Sequence, residues 1–497
     1  MTGAAASEPH PRRYSRREAL SRGALVAGAG VLGPSALAGC ADVVRQPRRR
    51  PAGYGPLVPD RQGLLDLPRG FNYRILSEAG DSLAGGGRVS GKHDGMAAFP
   101  RGGGATILVR NHELEGSPDE GSALEGRRPY DRSEPGGTTA IVLGPDRRKL
   151  RESVTSSGTR VNCAGGRTPW GTWLTCEEDR TDDHGYVFES VPGEDEGTLS
   201  REPIRAMGFF SHEAVAIDPR TGIVYLTEDE ARGGVVGDEQ QGRRLQSFLY
   251  RFLPADRGRR PGALQRGGRL QALALEEREA ARADGLTRRR GVEVAWRDID
   301  PENAHDSAVD RGAVAFNRLE GADFAGGALW FSDTAGGERG LGQMFRYRPG
   351  PNTLELFLES GQPGQMKAPD NVVVAPWGDV WFAEDWGEGR NRLVGISPEG
   401  KTYVFASYRG GESELAGPCF GPDGQTFFLN VYEPGMTIAV WGPFEPGGAA
   451  GRARMARSAP PRELAPLVSG GLREAAARRG LGTFEAAAHE RLGVPLG

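Results

Sequence analysis

The chain has 497 residues, 37% of them hydrophobic and 26% charged, with a net charge of -4 at pH 7. This balance is typical of a large globular protein with a core, and it argues against a nucleic-acid-binding surface and against an acidic disordered tail. The 76 Gly and 35 Pro predict many tight turns between short strands, while 4 Cys and 7 His disfavour a disulfide framework and a His-rich metal site.

The N-terminal region has the features of an export signal. Residues 15–20 read SRREAL, a twin-arginine motif, and an apolar stretch too short for a permanent membrane helix runs from Ala24 to Gly39. Residues 1–40 are therefore predicted to engage the twin-arginine export machinery, which leaves the protein periplasmic, anchored to the cell envelope or secreted. Residues 37–40 resemble a bacterial lipobox, in which Cys40 would carry a lipid. That lipid would be the protein's only attachment to a membrane. An ordinary cleavage site with a chance cysteine is the alternative.

Residues 41–65, rich in Arg and Pro, are predicted to be a linker. The chain then repeats one hairpin pattern. A first strand is followed by a Pro/Gly turn and by a second strand of bulky residues, which ends in an acid or an amide. The copies read RTPWGTWLTCEE, IDPRTGIVYLTE, VAPWGDVWFAED and FGPDGQTFFLN. In three copies the strand ends eight residues after the proline, and in the copy with Pro219 and Glu228 it ends nine residues after it.

Repeated hairpins of this kind predict an all-β fold, a six-bladed β-propeller with insertions over residues 66–444. A β-sandwich or a pair of barrels is the alternative. Helical periodicity is expected at Leu270–Ala283. Residues 445–497 are predicted to form a flexible, basic segment followed by a helical appendage.

Acids at the same place in successive propeller blades would converge on one central channel. Packed carboxylates raise one another's pKa, and they stay ionised only if cations lie among them. Oxygen ligands favour calcium or magnesium, whereas a thiolate favours a transition metal. Glu177 and Glu178, with a cysteine nearby, therefore predict a mixed metal site.

Two cysteines could supply the thiolate. Cys163 lies in the loop-like sequence NCAGG and is freer to face a channel, whereas Cys176 lies in the middle of a strand, where packing is the simpler interpretation. A Cys163–Cys176 disulfide is a further alternative in an exported protein. Two His-Glu pairs, His112-Glu113 and His212-Glu213, each follow apolar residues and could end strands at the same channel, although surface hydrogen bonds would also explain them.

Several motifs together resemble the PhoX-type alkaline phosphatases. They are NCAGGRTPWGTWLTCEED, the upstream VRNHE, the downstream GFFSHEAVAID, and the looser FNRLEG, APDNVVV and GPCFGPDGQTFFLNVYEPG. The resemblance implies a six-bladed propeller that hydrolyses phosphate monoesters with iron and calcium held by carboxylates and one cysteine. It implies Cys163 as the iron ligand, with Cys176 as the alternative, and Arg318 as the residue that holds the substrate phosphate. The carboxylate ligands that it implies are Glu113, Glu178, Glu213, Glu228, Glu320 and Asp370.

Two other functions are compatible with the same pattern. A calcium-dependent propeller lactonase would use one cation and a few carboxylates, and DNVVVAPWGDVWFAED would suit it. A propeller without catalytic activity, which binds a partner and uses calcium only for structure, is the second alternative.

Overall fold

The computed structural model describes residues 52–444, except for 182, 194–195, 231–245, 277–281 and 388. The predicted export signal, Cys40 and the predicted C-terminal appendage lie outside the described residues. Among the described residues, no helix has the length and apolar character needed to cross a membrane.

The described residues form 26 strands and one α-helix, α1 at Ala304–Asp310, together with short 3-10 turns. The first thirteen strands are β1 Leu57–Val58, β2 Leu65–Pro68, β3 Asn72–Glu78, β4 His93–Arg101, β5 Ala105–His112, β6 Gly136–Leu143, β7 Lys149–Thr159, β8 Asn162–Arg167, β9 Trp173–Glu177, β10 Val187–Ser190, β11 His212–Ile217, β12 Val224–Glu228 and β13 Leu249–Pro254. The others are β14 Gly268–Leu275, β15 Gly291–Asp298, β16 Leu319–Ala325, β17 Ala328–Asp333, β18 Gln343–Arg348, β19 Thr353–Glu359, β20 Pro369–Val374, β21 Val380–Glu384, β22 Arg392–Ile396, β23 Thr402–Tyr408, β24 Leu415–Phe420, β25 Thr426–Val431 and β26 Met436–Trp441.

These strands form antiparallel meanders in a propeller-like arrangement, as the repeated hairpins predict. Strands β4–β7 and β8–β10 make two separate sheets, and the meander β11–β15 joins β16–β19 through the β15–β19 pair. Strands β20–β23 are extended by β2 and β1, and β24–β26 are completed by β3. The pairing of β3 with β26 joins the N-terminal and C-terminal ends of the described chain.

The first strands of the meanders contact one another in a closed order: β4, β8, β11, β16, β20, β24 and back to β4. Together they line a central channel whose cavity has a volume of about 290 Å³. Glycines permit their close approach, since a Cβ at Gly95 would lie 2.6 Å from Ala164 Cα and one at Gly321 would lie 2.3 Å from Val372 N. Any other residue at either position would push neighbouring first strands apart.

The core lies between the faces of neighbouring sheets. In one large cluster, Trp381 is fully buried and packs against Phe405 and Phe427, with ring centroids 4.4 Å and 5.2 Å away. Such aromatic packing holds adjacent sheets together while leaving their inner edges free to carry polar side chains.

The helix predicted at Leu270–Ala283 is wrong for its first half. Residues from Gly268 to Leu275 form β14, which pairs with β13 on one side and β15 on the other. Pairing on both edges satisfies the backbone and overrides the helical propensity of Leu and Ala in this segment. Part of the second half lies outside the described residues.

Candidate functional site

One backbone motif repeats where each first strand begins. The acceptor is the backbone carbonyl of the residue immediately before the first strand of a meander. The donor is the backbone amide of the residue that follows the second strand, and the hydrogen bond is 2.9–3.3 Å long. We call the residues with these carbonyls the leading positions: Lys92, Val161, Ser211, Arg318, Ala368 and Glu414. The residues with the donating amides are the closing positions: Glu113, Glu178, Asp229, Thr334, Asp385 and Tyr432. Two residues after each leading position is an inner position: Asp94, Cys163, Glu213, Glu320, Asp370 and Ala416.

A local irregularity accompanies each inner position. The strand pairing shifts between His93 and Met96, between Asn162 and Gly165, and at the corresponding places in the other first strands. A bulge bends its strand and re-aims the side chain beside it. The repeat therefore brings polar side chains from sequence-distant hairpins to one end of the channel.

Seven of the eight sequence-predicted site residues lie in this motif. The ligand atoms of Cys163, Glu178 and Glu213 lie within 4.8 Å of one another, and so do those of Glu213, Glu320 and Asp370. Glu113 and Asp94 lie close enough to shift each other's pKa. Arg318 occupies a leading position, where it contacts Glu320.

The two candidate cysteines have different surroundings. Cys163 is 2% exposed, and its Sγ donates to the backbone oxygen of His212 at 3.2 Å, beside the carboxylate cluster. Cys176 is fully buried in an apolar cluster with Leu174 and Val187. Both are free thiols, so the structure does not contain the alternative disulfide.

Arg318 is held by two carboxylates. Its Nε and Nη2 donate to Asp229 at 2.9 Å and 2.7 Å, and Nη2 also donates to Glu320 Oε1 at 2.7 Å. The charge of Glu320 raises the pKa of Arg318, and Asp229 adds to this effect against the opposing effect of burial. The Arg318 side chain remains 30% exposed, so part of it can reach a ligand.

Burial and mutual repulsion disfavour the charged forms of the carboxyl groups. The pKa values of Asp94, Glu178, Glu213 and Glu320 are raised well above the usual range, first by burial and then by neighbouring acids. That of Asp370 is raised to about 7 for the same reasons, Asp385 being the main neighbouring charge. Burial also raises the pKa of the Cys163 thiol. A site with this composition can ionise fully only around bound cations.

The structure does not bring Glu228 into this cluster. Glu228 is the last residue of β12, and it accepts hydrogen bonds from the Phe248 amide at 3.1 Å and the Tyr250 hydroxyl at 2.9 Å. Its Oε1 lies 2.8 Å from His305 Nδ1. A ligand atom of Glu230 also lies within 4.8 Å of this pair, but Arg180 neutralises Glu230 at 2.6 Å. Glu228 thus makes three hydrogen bonds within the protein, and the next residue, Asp229, occupies the closing position instead.

Sequence reasoning missed the other acids of the site, which are Asp94, Asp229, Asp385 and Glu414. The spacing of the repeats contained the signal for Asp229, because the pattern that aligns Glu177 with Glu228 also aligns Glu178 with Asp229. A second signal pointed to Asp94. Four first strands contain an acid followed by a small residue or an amide, in the triplets HDG, HEA, LEG and PDN, and the acid of HDG is Asp94. Asp94 is 5% exposed and its Oδ1 has no hydrogen-bond partner, so it has a buried oxygen available for a ligand.

Comparisons with known proteins give a family and a fold. A family model described as alkaline phosphatase PhoX matches residues 52–435. The structure of Pseudomonas fluorescens PhoX in complex with vanadate, a transition state analogue, is similar with a TM-score of 0.60 at 18% identity, over 78% of this chain and 97% of that chain. A gluconolactonase from Xanthomonas campestris, XC5397, matches with a TM-score of 0.40 at 14% identity, over 79% of this chain and 98% of that chain. No curated protein matches.

Proposed function

The chain belongs to the alkaline phosphatase PhoX family, whose members release phosphate from phosphate monoesters, and we propose that its channel acids, Cys163 and Arg318 form the metal-dependent active site for this reaction. The observation that carries the proposal is the convergence of Cys163, Glu178, Glu213, Glu320 and Asp370 beside the one arginine at a leading position. Family membership favours phosphate ester hydrolysis over the lactonase and over a binding propeller.

The donor set fits iron and calcium. Carboxylate oxygens in the number found here suit calcium, and the Cys163 thiol beside Glu178 and Glu213 adds the softer ligand that a transition metal accepts. The unpartnered buried Oδ1 of Asp94 is a further oxygen for a hard cation. We assign iron to the Cys163 side of the site and calcium to the carboxylates around it, and we assign six blades to the propeller because the first strands close in one order.

The residues of the chain would act by holding and orienting the ester. Bound cations would supply Lewis acidity toward the phosphoryl oxygens and lower the pKa of water near the site. Arg318 would release part of its contact with Asp229 and donate its planar fork to two equatorial oxygens of the phosphate. Its charge would stabilise the negative charge that grows on those oxygens in the transition state. Asp229 and Glu320 would keep the guanidinium in place between turnovers.

Metal analysis and a phosphatase assay test this proposal together. Purified protein should contain iron and calcium by mass spectrometry and should hydrolyse 4-nitrophenyl phosphate. Cys163→Ser should lose iron and activity with its fold intact, because an alcohol stays protonated where a thiol ionises on a metal. Arg318→Lys should turn over slowly with full metal content, because a lysine keeps the charge but lacks the bidentate fork.

A structural control separates the two cysteines. Cys176→Ser should keep its metal and lose about 1–3 kcal/mol of stability, since it places a hydroxyl in an apolar cluster. Full activity in protein stripped of all metal would overturn the metal-dependent mechanism. Iron loss in Cys176→Ser but not in Cys163→Ser would reverse the assignment of the iron ligand.

The sequence of residues 1–40 supports export by the twin-arginine route as part of the same proposal. Changing Arg16 and Arg17 together to Lys should retain the protein in the cytoplasm, as cell fractionation would detect. Cys40→Ala should release it from membranes if the lipobox is used. An unchanged distribution in the double variant would refute the signal assignment.

A further inference from the structure

Lys92 and Arg318 are the two cations among the leading positions of the described chain. The other four positions hold Val161, Ser211, Ala368 and Glu414. Both cations have left-handed backbone angles, with φ of 50° at Lys92 and 66° at Arg318. Each precedes an inner-position acid by two residues, Asp94 after Lys92 and Glu320 after Arg318. Two first strands thus present the same arrangement, a cation followed by a carboxylate.

Each of the two cations also contacts the closing residue of the preceding meander. Arg318 contacts Asp229, the closing residue of the meander before its own. Lys92 Nζ lies 4.6 Å from the centre of the Tyr432 ring, and Tyr432 is the closing residue of the meander that precedes β4 in the closed order. Lys92 also pairs with the neighbouring Glu433. Both cations therefore occupy the same kind of position at the same end of the channel.

The order of the first strands places these cations on opposite sides of the channel. Two strands, β8 and β11, lie between β4 and β16 in one direction, and two others, β20 and β24, lie between them in the other direction. The leading positions that carry Lys92 and Arg318 therefore lie on opposite sides of the ring of first strands.

The partners of the two cations differ in a way that matters for binding. Asp229 and Glu320, the partners of Arg318, are 1% and 5% exposed. The side chain of Glu433, the partner of Lys92, is 56% exposed. An ion pair with so exposed a partner contributes about 0–1 kcal/mol, so an anionic ligand can displace it with little loss. The ion pair of Lys92 is therefore the easier of the two for an anionic ligand to displace, although the Lys92 side chain itself is only 17% exposed.

From this arrangement we propose that Lys92 binds a second anionic group on the leaving alcohol, so that the enzyme favours phosphate monoesters whose alcohol carries a carboxylate or another phosphate. The inference rests on the proposed function of the site. Arg318 holds the phosphoryl group to be transferred, and Lys92 holds the far end of the same molecule. This second contact orients the ester across the channel and acts mainly on KM, because it is present before the transition state as well as in it.

A matched pair of substrates tests the inference. 3-Phosphoglycerate and sn-glycerol 3-phosphate release similar alcohols and differ in one carboxylate. Wild type should prefer 3-phosphoglycerate, and Lys92→Gln should reduce that preference in kcat/KM about tenfold through KM, a change of about 1.4 kcal/mol. Lys92→Arg should restore most of the preference. The control is Lys149→Gln, which removes a similarly half-buried lysine paired with Asp81 and Glu152 outside the channel, and it should leave the ratio unchanged.

Each other outcome contradicts a defined part of the reasoning. If wild type hydrolyses both esters without preference, or if Lys92→Gln folds and keeps the wild-type ratio, the inference is overturned and the phosphatase proposal stands. A lower melting temperature or metal content in Lys92→Gln with the ratio intact would give Lys92 a structural role only. If wild type with its metals hydrolyses neither these esters nor 4-nitrophenyl phosphate, the proposed function fails and this inference fails with it.

Discussion

The adjacent acids Glu228 and Asp229 provide a sharp test of how the channel is built. They are neighbours in sequence with similar chemistry, yet Glu228 contacts Tyr250 and His305, whereas Asp229 contacts Arg318, which also contacts Glu320. Glu228→Gln and Asp229→Asn each remove one charge and keep the side-chain shape. We expect the first change to lower stability and the second to lower turnover.

The size of each effect follows from the contacts. Glu228 is fully buried and accepts three hydrogen bonds, and a glutamine can accept with only one oxygen. Losing one or two hydrogen bonds to a charged group costs about 2–4 kcal/mol. For a domain of this size, the entropy of unfolding is roughly 0.8 kcal/mol/K, so the melting temperature should fall by about 3–5 °C.

Asp229→Asn should act on the reaction instead. Without the carboxylate, Arg318 keeps only Glu320 as a charged partner, and its fork is no longer fixed over the channel. Misplacement of a binding group by about 1 Å can cost on the order of 100-fold in rate, so kcat/KM should fall between tenfold and 100-fold. The melting temperature should change less than in Glu228→Gln, because Asp229 lies among repelling acids.

Both variants need three measurements: the melting temperature, the metal content and kcat/KM on 4-nitrophenyl phosphate. The reasoning is refuted if Glu228→Gln loses metal and activity at an unchanged melting temperature while Asp229→Asn retains both. That result would place Glu228 among the ligands, as the family resemblance implies, and would mean that the closing positions do not define the site.

Three further predictions concern the channel walls. Gly95→Ala should lower both stability and activity, because its Cβ would lie 2.6 Å from the next first strand, whereas Gly102→Ala, with open space around it, should change neither by calorimetry and assay. Burial raises the pKa of Asp323 from 3.8 to about 6, so its contribution to stability is present below pH 4 and is lost as the pH rises through 6. Asp323→Asn should therefore flatten the pH dependence of unfolding over this window, by at most roughly 3 kcal/mol. In chemical denaturation, Val161→Gly should be more stable than Val161→Ala, because the φ of 46° at this position favours glycine. The order should reverse at Val109 in β5, which has no positive φ, and the same order at both positions would contradict the strain argument.

The sequence predicted the class of fold because each hairpin is a local object. The Pro/Gly turn and the alternating bulky residues of IDPRTGIVYLTE specify the turn after β11 and the strand β12 without any distant contact. Longer-range pairing was not accessible in the same way. The segment LQALAL has a composition that favours a helix, and it becomes β14 only because β13 and β15 supply hydrogen-bond partners on both sides.

The sequence predicted the kind of site, a cluster of acids with a cysteine, more accurately than it predicted the individual residues. Repeated acids at strand ends indicated convergence, and the structure brings Glu178, Glu213 and Asp370 into one cluster with Cys163. The choice between adjacent acids depends on which side of the strand faces the channel, and in a β-strand a step of one residue reverses that side. The family resemblance implied Glu228, whereas the alignment of strand ends that pairs Glu177 with Glu228 pairs Glu178 with Asp229.

Backbone geometry explains why these positions can carry such different side chains. Lys92, Val161, Arg318 and Ala368 all adopt left-handed backbone angles at leading positions, with φ between 36° and 66°. A conformation of this kind costs about 1–3 kcal/mol for a residue with a side chain, and it persists only where the surroundings impose it. At these four positions the conformation accompanies the hydrogen bond from the closing amide and the bulge at the inner position, whereas Ser211 and Glu414 accept the same hydrogen bond without it. The motif therefore fixes where a side chain enters the channel and leaves its chemistry free to vary, so a thiol, a carboxylate, an arginine and a lysine can meet at one end of a single repeated scaffold.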